Sequence, residues 1–105
     1  MTWYRKRPIS VQAFQMTEAA MNREIYWPDW LEEASEKPAG EAGALRPVVA
    51  DDSDTRVVSY EIYTLEGPHI VILDAWIVQG PAPTHEIWAV RDDIFRATYE
   101  EVETQ

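Results

Sequence analysis

Ile62-Tyr63-Thr64-Leu65-Glu66-Gly67, then Ala75-Trp76-Ile77-Val78-Gln79-Gly80, then Asp93-Ile94-Phe95-Arg96-Ala97-Thr98-Tyr99-Glu100 are the stretches whose reading decides the fold. The first two are short runs of β-branched and aromatic residues that each stop at a glycine, and the third opens on an acid. Together they read as a compact β meander closed by one helical turn. Working outward, Val58, Tyr60, Ile62 and Thr64 alternate on one strand face, with Val57, Ser59, Glu61, Tyr63 and Leu65 on the other. Glu66-Gly67 with Pro68 supplies a turn, and further strands are expected over residues 69–73, 75–79 and 86–90. Residues 92–96 form a helical turn with acids at its positive end, and 98–102 a last strand.

Upstream, Ile9, Val11 and Ala13 alternate with Ser10 and Gln12, the period of a half-buried strand, with Phe14 and Met16 on its other face. Thr17 offers a hydroxyl cap to a short helix over 18–24. Pro28 bars its continuation and opens a second helix, with Asp29, Glu32 and Glu33 near its N-terminus and Trp30, Leu31 and Ala34 as its buried stripe. The segment at about 36–55 holds Gly40, Gly43, Pro38 and Pro47 and no aromatic residue, so it reads as a mobile loop with at most a short edge strand at Val48-Val49. Its tip, Asp51-Asp52-Ser53-Asp54, lacks the glycine and the distal glutamate of a calcium loop and reads as a solvated turn.

At 105 residues, 46% of them apolar, the chain suits one domain, and its five Trp and five Tyr fill a small core efficiently. It has no cysteine, which excludes disulfides, thiolate metal sites and cysteine nucleophiles. The basic start is followed by alternating residues instead of an apolar run, and no stretch of about 18 apolar residues occurs, so a soluble cytoplasmic protein is expected. The formal net charge of −10 opposes direct binding to nucleic acid or to anionic membranes. The cations Arg5, Lys6 and Arg7 stand together, which suggests one basic corner on an acidic body.

Tyr4-Arg5-Lys6-Arg7-Pro8, Gln15, Thr64-Leu65-Glu66-Gly67, Trp76-Ile77, Gly80, Glu86, Asp93-Ile94-Phe95 and Thr98-Tyr99-Glu100 occur in an order that resembles a family of small phage and prophage proteins. That family opens on a Tyr-Arg-Lys-Lys-Pro-type motif and closes on Thr-Leu-Glu-Gly, Gly-Asp-Trp-Ile, Gly-Glu and Asp-Ile-Phe followed by Thr-Tyr-Glu. The match covers both ends of the chain and skips the middle. It implies a phage or prophage origin and a β-rich fold, and carries no activity with it. Where the family has Pro-Gly-Asp before the tryptophan, this chain has Leu73-Asp74-Ala75, so the tight turn requires Asp74 to adopt a backbone that glycine takes freely. The loop before Glu86 is longer and proline-rich, and Val90 stands where the family has a cysteine.

Enzymatic chemistry finds little footing. His85 and Glu86 are adjacent on a strand and point to opposite faces, and His69 stands at no ligand spacing from His85, so no metal site is expected. No serine sits in a nucleophile elbow, and the four glycines make no phosphate loop or cofactor motif. No catalytic residue and no cofactor are assigned. The one candidate ligand site is a basic aromatic pocket of Arg5, Arg7, Trp76, His85 and Trp88, with guanidinium forks for a phosphate and rings for a base. Against it, the tryptophans would serve as core, Trp76 and Phe95 included, with the cations paired to Glu100, Glu101 or Glu103 on a neighbouring strand.

The expected fold is α+β, a small partly open β barrel or roll of about five to six mostly antiparallel strands with one or two short helices. The expected function is that of a non-enzymatic phage or prophage accessory module that binds a host or phage protein. One specific form is an acidic mimic of nucleic acid. The alternative is a module that sequesters a small phosphorylated ligand or nucleotide.

Overall fold

A computed structural model describes residues 2–5, 8–51 and 54–102, with the backbone but not the side chains of 51, 54 and 55. In chain order the elements are β1 (Gln12–Gln15), α1 (Glu18–Met21), α2 (Asp29–Glu36), β2 (Leu45–Asp51), β3 (Asp54–Thr64), β4 (Gly67–Val71), β5 (Trp76–Gln79), β6 (Ile87–Val90) and α3 (Asp92–Thr98). All strand pairs are antiparallel, and they form two three-stranded sheets ordered β1-β5-β6 and β2-β3-β4. The fold is therefore β-rich with short helices, as expected, but neither sheet closes into a barrel.

The core lies between the sheets. Ile77 and Ile87 of the first sheet meet Leu45, Tyr60, Ile62 and Val71 of the second, and Met16 after β1 with Ala20, Leu31 and Ala34 of the helices completes the cluster. Period-2 alternation accounts for this directly, since Leu45 pairs with Ile62 and Tyr60 with Val71, which puts all four on one face. Both helices start where the sequence indicates. Thr17 Oγ1 accepts the Ala20 amide, and Pro28 caps α2 with an extended φ/ψ of −63°/153°. Trp30 is only half-buried, while Leu31 and Ala34 are buried.

Four expectations are corrected. Within the segment read as a loop over about 36–55, Leu45–Asp51 is a strand and β3 begins at Asp54, because Ala44 and Leu45 are fully buried and the β2 backbone pairs with β3. Pro47 fits because β2 is an edge strand that can spare an amide. The alternation of β3 breaks where Val48 pairs with Ser59 but Val49 pairs with Val57, an extra residue that resets the faces. Val57 consequently packs on the core, while Val58, assigned by simple alternation to the face of Tyr60, is 44% exposed.

The strand expected over 98–102 is absent, since α3 runs on to Thr98 and the residues after it are irregular up to 102. Trp76 and Phe95 are half-buried and lie outside the core cluster. Their rings stack on each other at 4.0 Å and 7°, and Phe95 continues onto Tyr99 at 4.8 Å and 15°. Trp76 shares its sheet face with Val78, opposite Ile77, so this stack covers the face of the first sheet that points away from the core.

Two turns make the meander possible. The β3–β4 hairpin turns through Leu65-Glu66 with positive φ only at Gly67 (+113°), and Thr64 Oγ1 closes it by accepting the Glu66 amide and donating to the Gly67 carbonyl. Asp74 has φ of +69°, the left-handed backbone expected from the resemblance, while its amide donates to the Met16 carbonyl at 2.7 Å.

Candidate functional site

At the hairpin end the interior between the sheets opens into a cleft of about 1080 Å³. Ile62 is fully buried, but its pair partner His69 is exposed, so the core face of the second sheet runs out into this opening. One wall is α2, which presents Asp29, Trp30, Glu33, Ala34 and Lys37, spaced as one helical face. The opposite wall is the β3–β4 hairpin with Tyr63, Leu65, Glu66 and His69, and the third is built by the loop before β6 with His85, Glu86 and Trp88.

Backbone and side-chain bonds hold the walls apart at a set distance. Arg46 on β2 donates to the Ser35 carbonyl at 2.8 Å and to the Lys37 carbonyl, which caps the C-terminus of α2 and ties it to the edge of the second sheet. Gly43 donates to Tyr63 O at 2.6 Å and Tyr63 returns a bond to Ala44 O at 3.0 Å, so the loop after α2 is laced to the hairpin. On the third wall the Gly80 amide donates to Glu86 O at 2.8 Å. A Cβ at Gly80 would come within 3.2 Å of the Trp88 ring, so a larger residue there would push that indole back by a few tenths of an ångström.

The cleft is lined by Trp30, Tyr63 and Trp88, all half-buried, and by four residues with carboxylates, Asp29, Glu33, Glu66 and Glu86, against the single ammonium of Lys37. Strand register turns Tyr63 to the face opposite Ile62 and Trp88 to the face of Trp76, so Trp30, packed against the core, is the ring on the inner side. Such a surface attracts cations and repels phosphate. No group of three or more metal-binding side chains gathers among the described residues. The arrangement offers the Trp30 ring for a cation or a flat apolar side chain, with carboxylates around the opening to pair with its charge.

The residues of the basic aromatic pocket are divided by the fold. His85 and Trp88 line the cleft. Trp76 is committed elsewhere, stacked on Phe95 and donating from Nε1 to Asp92 Oδ1 at 2.9 Å. That bond, with a second from Arg96 Nε at 2.8 Å, holds the Asp92 carboxyl below the ordinary aspartate range. Arg5 is exposed and makes no hydrogen bond or ion pair among the described residues, and Arg7 lies outside them. Neither Arg5 nor Trp76 lines the cleft that His85 and Trp88 border.

A smaller pocket of about 480 Å³ lies at the other side of α1. There Arg23, at φ +61°, lays its guanidinium 3.6 Å over the Trp27 ring and pairs with Glu32. Trp27 donates to the Ala20 carbonyl at 2.8 Å and meets Tyr60 edge to face at 5.5 Å. Burial raises the Tyr60 phenol, an effect that Arg23 partly offsets and Glu32 reinforces. These groups satisfy one another and explain the pocket as a packing feature. Sequence reading missed Trp30, Tyr63 and Arg46 as site residues; the helical spacing of Asp29, Trp30, Glu33 and Lys37 was the available signal.

Comparison of the chain with protein-family models, with curated proteins and with solved structures returns no match. Among the described residues no helix is long and apolar enough to cross a membrane.

Proposed function

We propose that this chain is a non-enzymatic binding module whose cleft takes a cationic, aromatic-bearing segment of a partner protein. The observation that carries this is the coincidence of Trp30 with four carboxylates around one opening, on a chain of net charge −10. Aromatic faces bind alkylammonium and guanidinium groups, and rim carboxylates steer them in and fix their register. A phosphorylated ligand is disfavoured, because it would meet the carboxylates before any guanidinium. Within this reading the chain is a phage or prophage accessory protein acting on a host or phage partner, which rests on the resemblance of its terminal motifs alone.

The test is a titration with short peptides that alternate Lys or Arg with aromatic residues, followed by NMR of the tryptophan indoles. The Trp30 and Trp88 indole signals should shift and that of Trp76 should not. Glu33→Lys with Glu66→Lys should weaken binding by about tenfold, near 1.4 kcal/mol, and flatten its salt dependence. Nucleotide binding at the same indoles, with no response to cationic peptides, would overturn the reading.

A further inference from the structure

The chain carries a segment of the chemistry its cleft selects. Residues 2–11, Thr2-Trp3-Tyr4-Arg5-Lys6-Arg7-Pro8-Ile9-Ser10-Val11, contain two aromatic residues beside three consecutive cations. Where described, this arm has no regular structure, and Trp3 and Tyr4 are 87% and 91% exposed. Two large rings lie fully in water on a chain whose cleft wall holds the half-buried Trp30, an arrangement left uncompensated on both sides. Resting on the cleft reading above, we propose that the arm of one chain occupies the cleft of a second copy, and reciprocally, to give a symmetric arm-exchanged dimer.

Charge supports the match. The arm brings Arg5, Lys6 and Arg7 to a cleft rimmed by Asp29, Glu33, Glu66 and Glu86. Area supports it as well. Four aromatic side chains, two from each arm, would bury roughly 600–1,000 Å² and cover a similar area of cleft, which reaches the roughly 1,200–2,000 Å² of a stable interface. Geometry favours exchange over folding back. Gln12, where the arm begins its strand, itself lies on the cleft wall, so entry into the same cleft would demand an immediate reversal. Residues 2–11 contain no glycine to make that reversal, and Pro8 has its φ fixed. An extended arm of ten residues spans about 33 Å, enough to reach a neighbour. A two-fold axis then makes each chain donor and acceptor at once.

The experiment is a charge swap read by sedimentation velocity on the full chain. One variant reverses the arm (Arg5→Glu, Lys6→Glu, Arg7→Glu), and the other reverses the cleft (Glu33→Lys, Glu66→Lys, Glu86→Lys), all exposed positions on the cleft side. The native chain should dimerise in the micromolar range and dissociate as salt is raised. Each variant alone should be monomeric with an unchanged far-UV spectrum, and an equimolar mixture should recover the dimer, since each arm again meets a cleft of opposite sign. Trp3→Ala with Tyr4→Ala should weaken the native dimer at least about tenfold without altering charge. A monomeric native chain, or a mixture that stays monomeric, overturns the exchange; so does a native monomer in which Trp3 fluorescence is shielded, since the arm then folds back. Cationic peptides that shift Trp30 and Trp88 in the arm-reversed chain would leave the cleft reading standing in any of these cases.

Discussion

Replacing Asp74 with glycine should stabilise the protein. Asp74 holds φ of +69°, its side chain is exposed, and among the described residues that side chain has no hydrogen-bond or ion-pair partner to offset the strain. A left-handed backbone costs an L-residue about 1–2 kcal/mol, the lower end applying to aspartate. Glycine removes that cost but gives back roughly 0.5–1 kcal/mol through the greater freedom of its unfolded chain. The balance for Asp74→Gly is a gain of about 0.5 kcal/mol, or roughly 2–4 °C in Tm for a domain of this size. Asp74→Ala keeps the strain and removes a side chain that has no partner, so its stability should stay within about 0.5 kcal/mol of the native chain. The backbone bond from Asp74 N to Met16 O survives in both variants, which isolates the conformational term. Urea unfolding at equal m-value measures the difference. A glycine variant less stable than the native chain, or equal to the alanine variant, would refute the assignment of strain to this residue.

Phe95→Ala should cost about 2 kcal/mol, roughly half the 3–5 kcal/mol of a fully buried phenylalanine, because its ring is half-buried between Trp76 and Tyr99. Amide exchange should quicken over 92–98 and stay slow in β3; quickening throughout the chain would place Phe95 in the core instead. The depressed Asp92 carboxyl favours the ionised folded state, so its contribution is full above the unfolded aspartate value near about 3.9 and is lost as pH falls through the lower folded value. Acid unfolding of Asp92→Asn should show a shallower decline in that window, and a parallel curve would contradict it. The Tyr60 phenol is raised by burial, so its contribution is full below about pH 10 and is lost as pH rises through the higher folded value. Tyr60→Phe should flatten the alkaline limb of the stability curve, and an unchanged limb would contradict the burial.

Local patterning alone determined most of the elements. Thr17, Pro28 and the run after Pro28 marked the helices because capping and proline geometry act within a few residues. The alternation of Tyr60 and Ile62, and of Ile77 against its neighbours, marked the core faces because side chains in a strand alternate whatever the strand pairs with. The left-handed Asp74 was foreseen through the family resemblance, which sets a glycine at that position, and not from local patterning.

What lay beyond the sequence depends on which strands meet. Leu45–Asp51 has a loop-like composition and becomes a strand because β3 supplies its hydrogen-bond partners. The bulge at Val58 could not be foreseen from β3 alone, since it is defined by register against β2. Trp76 and Trp88 share a face of one sheet, yet α3 covers the first while the second borders the cleft, a difference set by where the chain goes after Val90. The cleft itself gathers Trp30, Tyr63 and Trp88 from segments far apart in sequence. Only the packing of α2, the β3–β4 hairpin and the loop before β6 brings these residues and the carboxylates to one opening, because a surface of this kind is a property of juxtaposed elements and of no single one.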